Sequence, residues 1–272
     1  MEPRLSPPNQ SRRDALRNPP RYLFIGGLHR SGTSLVNRLA NALPGAGGIT
    51  GSAAPENEGA YLQGAIPHTA QSGRPMHFAT NPEEHLTEAH PLNSLETKTR
   101  LAQDWAPWFA PDLHWRVEKS PVNLTRMRLM QQLFPMSQFI VVLRHPEAVA
   151  GSVASWVDAP AQALIDHWIA AQAQMLDDLP YLHAVMVLRY EDIVADAPRA
   201  LRRIARFVDL PEAALPEGIA DGNQTYAGAT QMTKAQAAEA ARWGYAPGLQ
   251  VSPWPGLVQH PLRAVREAVE AA

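Results

Sequence analysis

The chain has 272 residues, enough for one large domain with a sizeable core, and its apolar (45%) and charged (18%) fractions are those of a globular protein rather than a disordered one. A formal net charge of −2 gives no overall basic field for nucleic acid or an anionic membrane, while leaving room for a local anion site. Cysteine is absent, which excludes disulfides and cysteine-ligated metal centres and suits a reducing compartment. No stretch nears the ~20 apolar residues of a membrane span. The N-terminus, MEPRLSPPNQSRRDALRNPP, lacks the apolar centre of a secretory signal, so the cytoplasm is the expected location. Residues 1–20, rich in proline and arginine, predict a flexible arm, and residues 21–272 a single domain.

Tyr22–Ile25 is a short apolar run between prolines and glycines and predicts a buried strand. Gly26-Gly27 ends it. Ser31-Gly32-Thr33-Ser34 then opens an amphipathic stretch (Leu35, Val36, Leu39, Ala40, Leu43) that predicts a helix closed by Pro44-Gly45. Strand, Gly-rich turn, hydroxyl cluster and helix together cradle a phosphate, because free backbone N–H groups face the anion and the helix dipole adds attraction. Arg30 puts a full positive charge in the turn. Against the Walker A pattern G-x-x-x-x-G-K-[ST], Gly27 and Gly32 align, but Thr33 stands where the lysine belongs. That lysine reaches the terminal phosphates of a nucleoside triphosphate, so its absence counts against a kinase or ATPase.

Residues 44–60 are rich in Gly, Pro and Ala and predict a loop at the carboxyl end of the sheet, where ligands bind in open α/β folds. Glu56 and Glu58 are its only charges; on bare sequence they read as solvated loop acids. Residues 61–95 hold His68, His77, His85 and His90, but no pair has the i, i+4 spacing of two ligands on one helix face. No metal is expected there; an irregular segment closing over an acceptor is. Ser94–Phe109 predicts a helix with Trp105, Trp108 and Phe109 as core or pocket wall.

Leu113–Glu118 predicts a second strand, and Ser120-Pro121 a helix start continued by Val122–Leu133, with Lys119 at the junction. Gln138–Leu143, QFIVVL, is β-branched and continuous, as a buried parallel strand should be. It delivers Arg144-His145-Pro146, and a helix over Glu147–Val157 follows. Ser152 lies about two turns into that helix. An arginine fork and a serine hydroxyl both suit phosphate. Beyond come a helix over Pro160–Leu179, a strand over Val185–Leu188 ending in Arg189-Tyr190-Glu191-Asp192, and a helix over Ala197–Val208. Residues 211–259 carry little pattern, and Pro261–Ala271 predicts a terminal helix. Strands alternating with helices predict an α/β fold in three layers, with a central parallel sheet flanked by helices.

These motifs, in this order, resemble the sulfotransferases that use 3′-phosphoadenosine 5′-phosphosulfate (PAPS), closest in style to the heparan-type and tyrosylprotein enzymes. Their 5′-phosphosulfate loop reads [KR]-[SG]-G-T-[ST], and this chain has Arg30-Ser31-Gly32-Thr33-Ser34. The likeness covers roughly Tyr22 to Leu210 and implies a P-loop-like fold. It implies that Arg30, Ser31, Gly32, Thr33, Ser34 and Leu35 hold the 5′ end of the donor. Glu56-Asn57-Glu58 before Gly59-Ala60-Tyr61-Leu62 resembles the family's E-N-E and apolar run, which implies Glu58 as general base with Glu56 in reserve. Glu118-Lys119-Ser120-Pro121 matches Glu-Lys-[ST]-Pro, which implies that Lys119 contacts the bridging oxygen and the transferred group. Arg144 with Ser152 eight residues on matches the 3′-phosphate site that tells PAPS from ATP. Tyr190, in the family's [RF]-Y-E-D, either touches the nucleoside or is a core tyrosine.

The resemblance further implies PAP as product and a hydroxyl or amine of a small molecule, lipid or short saccharide as acceptor. It also implies a nucleotide-covering segment within 211–259, with Arg242-Trp243-Gly244 as its remnant. Lysine and arginine supply the charge that Mg²⁺ supplies in kinases, so no metal is required. Two other functions remain open on the sequence. One is a P-loop small-molecule kinase with a degenerate loop, for which Asp192 is the available magnesium carboxylate. The other is a non-catalytic nucleotide-binding protein of the same fold.

Overall fold

The computed structural model describes residues 20–69, 76–226 and 230–272; the arm expected over residues 1–20 lies outside these, apart from Pro20. Strand β1 spans Arg21–Gly27 and feeds through the Gly-rich turn into α1, Thr33–Asn41. Next come β2 (Ala46–Gly48), short 3-10 turns at Pro55–Asn57 and Gly59–Leu62, α2 (Leu95–Trp105) and β3 (Trp115–Lys119). Then follow α3 (Met127–Leu133), β4 (Gln138–Leu143), α4 (Pro146–Val153), α5 (Ala161–Asp178), β5 (Val185–Arg189), α6 (Tyr190–Ala195) and α7 (Ala197–Val208). The last part holds α8 (Lys234–Ala240), a small antiparallel pair β6 (Tyr245–Ala246) and β7 (Gln250–Val251), strand β8 (Leu257–Gln259) and α9 (Arg263–Ala271).

Six strands form one sheet in the order β2-β3-β1-β4-β5-β8. Its pairings are parallel except that of β8, which closes the edge antiparallel to β5. Register sets Ile25 beside Lys119, Gly27 beside Val142 and Leu143 beside Arg189. The carboxyl ends of β1, β3, β4 and β5 therefore finish together, at the edge where open α/β sheets bind ligands. The central strands are continuous apolar runs because both faces are covered. Tyr22 and Phe24 face one side, Leu23 and Ile25 the other. On the first side Phe24 meets Trp105, Phe134 and Phe139 at centroid distances of 6.1, 6.0 and 5.7 Å. On the second, α1, α7 and α9 bury Val36, Leu39, Leu201, Ile204, Phe207 and Val269. Helix α7 starts where the Asp196 carboxylate accepts from Arg199 N–H (3.0 Å) and ends at Asp209 in the left-handed region. Three layers result.

The differences from expectation concern the elements that flank the site. The single helix expected over Pro121–Leu133 is split into a 3-10 turn, Pro121–Thr125, and α3, with Arg126 (φ −120°, ψ −1°) between them. Ser120 does not cap it: its hydroxyl donates to Glu118 (2.5 Å). The Asn123 amide is held by Ile25 O (3.1 Å) and Glu118 (2.6 Å), which pins the tight turn against β1. Within the expected loop 44–60, Ala46–Gly48 is a strand, although Ala-Gly-Gly has no strand preference of its own; pairing with β3 supplies it. Helix α4 stops at Val153 instead of running to Val157, which releases Trp156 toward the carboxyl edge of the sheet. The patternless 211–259 contains α8, started by a capping box between Thr233 and Gln236, and β6 to β8.

Candidate active site

The turn after β1 has the shape of an anion cradle. Arg30 and Gly32 both take positive φ (67° and 100°), which folds the chain back on itself. Ser31 is buried, and its N–H and hydroxyl both donate to Leu28 O, at 3.1 and 2.7 Å. The N–H groups of Gly32, Thr33 and Ser34 find no protein partner among the described residues, whereas that of Leu35 is used inside the turn on Gly32 O (3.0 Å). Three donors at the start of a nine-residue helix thus remain for a ligand. Gly32 allows no side chain: a Cβ there meets the Tyr190 ring at 2.7 Å.

Beside the cradle, Lys119 at the end of β3 is almost fully buried and bonds two carboxylates, Glu56 and Glu58, each at 3.0 Å. One residue of sequence, Asn57, separates these acids, and their surroundings separate their chemistry. Burial pushes Glu58 up to about 7, despite the opposing Lys119 ammonium. For Glu56, burial also pushes upward, but the hydrogen bond from the Ser34 hydroxyl and the charges of Lys119 and Arg30 outweigh it and hold the carboxyl below its usual value. Glu56 and Asn57 both take left-handed backbone angles (φ 48° and 54°). Such conformations cost on the order of 1 kcal/mol each. Ser52 holds the second in place, donating N–H and hydroxyl to the Asn57 side-chain oxygen Oδ1 at 3.0 and 2.8 Å. Glu58 is fixed from its other side: Gly59 N–H donates to Glu118 (2.9 Å), Ala60 N–H to Ser120 (3.1 Å), and the Trp105 indole to Gly59 O (2.9 Å). Glu118 is fully buried, which raises its pKa.

Arg144, delivered by β4, is buried with its guanidinium 4.5 Å from the Tyr190 ring centroid and 5.5 Å from that of Tyr226. It donates to Arg30 O (2.9 Å) and to the Asn223 side-chain oxygen Oδ1 (2.7 Å). Two of an arginine's five N–H donors are thereby used, leaving three. Asn223 in turn donates to Glu191 (2.8 Å), and the Tyr190 hydroxyl accepts from Gly222 N–H (2.7 Å) and donates to Ala220 O (2.9 Å). The segment 220–226 is thus laced over Arg144.

The structure brings Arg30, Gly32, Thr33, Ser34, Glu58 and Arg144 around one cavity of about 290 Å³, whose wall is completed by His29, Glu56, Pro121 and Trp156. Lys119 reaches it through Glu56 and Glu58, and Tyr190 through Arg144. Ser152 is not brought to this wall: it is buried in α4 with its hydroxyl donated to Val149 O (3.0 Å). Asp192, the carboxylate that a kinase reading would use for magnesium, is instead held by Arg189 through two hydrogen bonds (2.6 and 2.7 Å). Trp105 and Phe109 are core. Among the described residues no three His, Cys, Asp or Glu side chains gather as a metal site, and His85 pairs with Asp178 (2.9 Å) instead. Arg242-Trp243-Gly244 touches the site only indirectly, Trp243 O accepting from Arg189 (2.9 Å).

Sequence reasoning did not single out Asn223, Tyr226, His29, Trp156 or Glu118. Asp221-Gly222-Asn223 is a turn signal, but nothing local says that it lands on Arg144. Glu118 sits inside the Glu-Lys-Ser-Pro motif, where the pattern points to Lys119 and nothing local marks the neighbouring acid. His29 lies in the phosphate turn and is kept neutral by burial and by Lys119, at about 4.

The sequence matches the model of the sulfotransferase family over residues 20–214. Among solved structures, the chain is similar to sulfotransferase STF1 of Mycobacterium tuberculosis H37Rv (18% identity, 79% of this chain and 74% of that one, TM-score 0.43). It is similar to a sulfotransferase of Alicyclobacillus acidocaldarius (16%, 82% and 90%, 0.46) and to the sulfotransferase domain of the Synechococcus PCC 7002 olefin synthase (18%, 100% and 97%, 0.46). No curated protein matches it.

Proposed function

The chain belongs to the sulfotransferase family, and we propose that it moves a sulfuryl group from PAPS to a hydroxyl of a small acceptor, with Glu58 as general base and Lys119 as the cation at the leaving oxygen. One arrangement carries this conclusion: a buried lysine shared by two carboxylates of unlike basicity, at the lip of a turn with three unpaired N–H groups. Pairs of carboxylates pushed apart in pKa mark acid–base assignments. Glu58, near 7, can accept a proton at neutral pH; Glu56 stays ionised and holds Lys119 and Ser34 in place.

In the step itself the acceptor oxygen attacks sulfur in line. The new O–S bond forms as the bond from sulfur to the bridging oxygen breaks, the acceptor proton passes to Glu58, and PAP leaves. Arg30 and the N–H groups of Gly32, Thr33 and Ser34 hold the 5′-phosphate. Lys119 spends two of its three N–H donors on the glutamates and aims the third at the bridging oxygen, where charge develops. Arg144 offers its three remaining N–H groups to the 3′-phosphate, and Tyr190 and Tyr226 flank it. Ser152 joins them only if ligand binding draws its hydroxyl from Val149 O. We extend the reading to one domain over 21–272, since both core clusters draw on residues from β1 onward. Cytoplasmic residence rests on the cysteine-free composition, and no described helix is long and apolar enough to cross a membrane.

Calorimetry with PAP, ATP plus Mg²⁺, and 5′-AMP, on wild type and Arg144→Ala, tests the donor. PAP binds wild type, 5′-AMP binds far more weakly, and the variant loses the distinction. ATP binding with indifference to the 3′-phosphate would return the kinase reading. Tight PAP binding without turnover on any acceptor would mark a binding protein.

A further inference from the structure

A second cavity, of about 420 Å³, lies against the first, and Trp156 stands in the wall of both. Its lining is mostly apolar: Met76, Trp156, Val157, Ala159, Ala163 and Leu164. It has the volume and the wall of a small-molecule pocket. The two spaces meet where the chemistry is: Trp156 packs edge-on to His29 (6.4 Å between centroids) and under the Arg30 guanidinium (5.1 Å). His29 also packs against Phe78 (5.6 Å), on the segment that supplies Met76 and Thr80 to the second cavity.

We propose that this cavity binds the body of the acceptor, and that the acceptor is an uncharged alcohol or phenol with a compact apolar body. The proposal rests on the sulfuryl-transfer reading for the role of the occupant, and on the cavity for its class. An apolar body gains by leaving water for such a wall. A saccharide does not, because each buried hydroxyl needs a partner, and the polar groups present are partly spent on each other. Thr80 and His167 are hydrogen-bonded at 3.2 Å. An anionic acceptor finds no lysine or arginine in the lining, and burial lowers the pKa of His167, which keeps that ring neutral. The one carboxylate of the wall, Asp158, is exposed at the rim. Trp156, itself half in solvent, is the side chain an entering acceptor passes on its way to Glu58.

The test uses 2-naphthol as the apolar probe and methyl β-glucoside as the saccharide probe, titrated into the full chain with and without PAP. Ala163→Trp fills the cavity from an exposed position of α5, and Ala163→Ser occupies the same position without filling it. The expected result is a tenfold or greater loss of 2-naphthol affinity in Ala163→Trp, wild-type affinity in Ala163→Ser, unchanged PAP affinity in both, and no measurable glucoside binding. Equal 2-naphthol affinity in wild type and Ala163→Trp, equal loss in both variants, no 2-naphthol binding to wild type, or preference for the glucoside each overturns the assignment. Failure of the donor reading shows separately, as PAP binding that ignores the 3′-phosphate, and does not alter how the 2-naphthol titrations are judged.

Discussion

Glu58 and Glu56 grip the same ammonium, but only Glu58 is enclosed, and enclosure sets what each can do. A base that ionises near 7 makes kcat/KM rise with pH through that value. Glu58→Gln removes the rise and costs roughly 10²–10⁴ in rate, whereas Glu56→Gln keeps the pH dependence; initial rates from pH 5.5 to 8.5 decide between them. The same shift has a stability consequence. The folded-state pKa of Glu58 lies above the unfolded value of 4.5, so its contribution is fully present below 4.5 and is lost as pH rises through about 7. Glu58→Gln therefore gains on wild type by about 2–3 kcal/mol at pH 8 relative to pH 4.5. Urea midpoints that keep a constant gap across that range contradict the assignment. Lys119 and Arg144 divide their work differently. In the proposed reaction Lys119 acts where charge develops, so Lys119→Ala is expected to lower kcat by ~10²–10³. In the same proposal Arg144 binds ground and transition states alike, so Arg144→Ala is expected to raise the donor KM and leave kcat nearly unchanged. Steady-state kinetics that show both parameters moving together in both variants would refute this division.

At the scale of the element, the turn between β1 and α1 depends on Gly32. Its φ of 100° and the Tyr190 ring 2.7 Å from a notional Cβ leave no room for a methyl group. Gly32→Ala must displace either the turn or Tyr190, at about 1–3 kcal/mol. It weakens PAP at least tenfold, measured by calorimetry beside a urea titration; unchanged affinity means that the turn does not hold the donor. This turn was legible in the sequence because strand, glycines, hydroxyls and helix follow one another within sixteen residues. The strands β1, β4 and β5 were legible for a similar reason: burial on both faces writes itself as an unbroken apolar run. Ala46–Gly48 and Leu257–Gln259 were not, since their strand character comes from the neighbour they pair with. Lys119 and Glu58 could be found through short motifs. Their meeting could not, because Glu56 and Asn57 adopt left-handed angles that no propensity predicts and that Ser34, Lys119 and Ser52 impose from elsewhere in the fold. Asn223 is further still from local signals, reaching Arg144 across 79 residues.

Across the whole molecule, two carboxylates, buried Glu147 and partly buried Glu191, tie the C-terminal segment to the ends of the strands. Glu147 accepts from the N–H groups of Met232, Gly248 and Leu249 at 2.7, 2.9 and 3.0 Å. Glu191 accepts from His145 N–H, Asn223 and the Tyr245 hydroxyl at 2.9, 2.8 and 3.0 Å. The segment that carries no periodic pattern is thus fastened at the edge of the sheet where the cradle opens, and its Asn223 accepts a hydrogen bond from Arg144. On the proposed function, nucleotide binding at Arg144 and the fastening of this segment are expected to be coupled. A ligand at a hundred times its Kd stabilises the folded chain by ~2.7 kcal/mol, which for a chain of this size raises Tm by about 5 °C. Asn223→Ala leaves the Arg144 Nε–H and Glu191 short of a partner. If this weakens PAP tenfold, the same PAP concentration contributes only ~1.4 kcal/mol and the shift in Tm halves. Glu212→Ala, which breaks only an exposed pair with Arg206 (2.7 Å), leaves the PAP shift at its wild-type size. Thermal melts of the three proteins with and without PAP measure the coupling, and an undiminished shift in Asn223→Ala separates the segment from the nucleotide site.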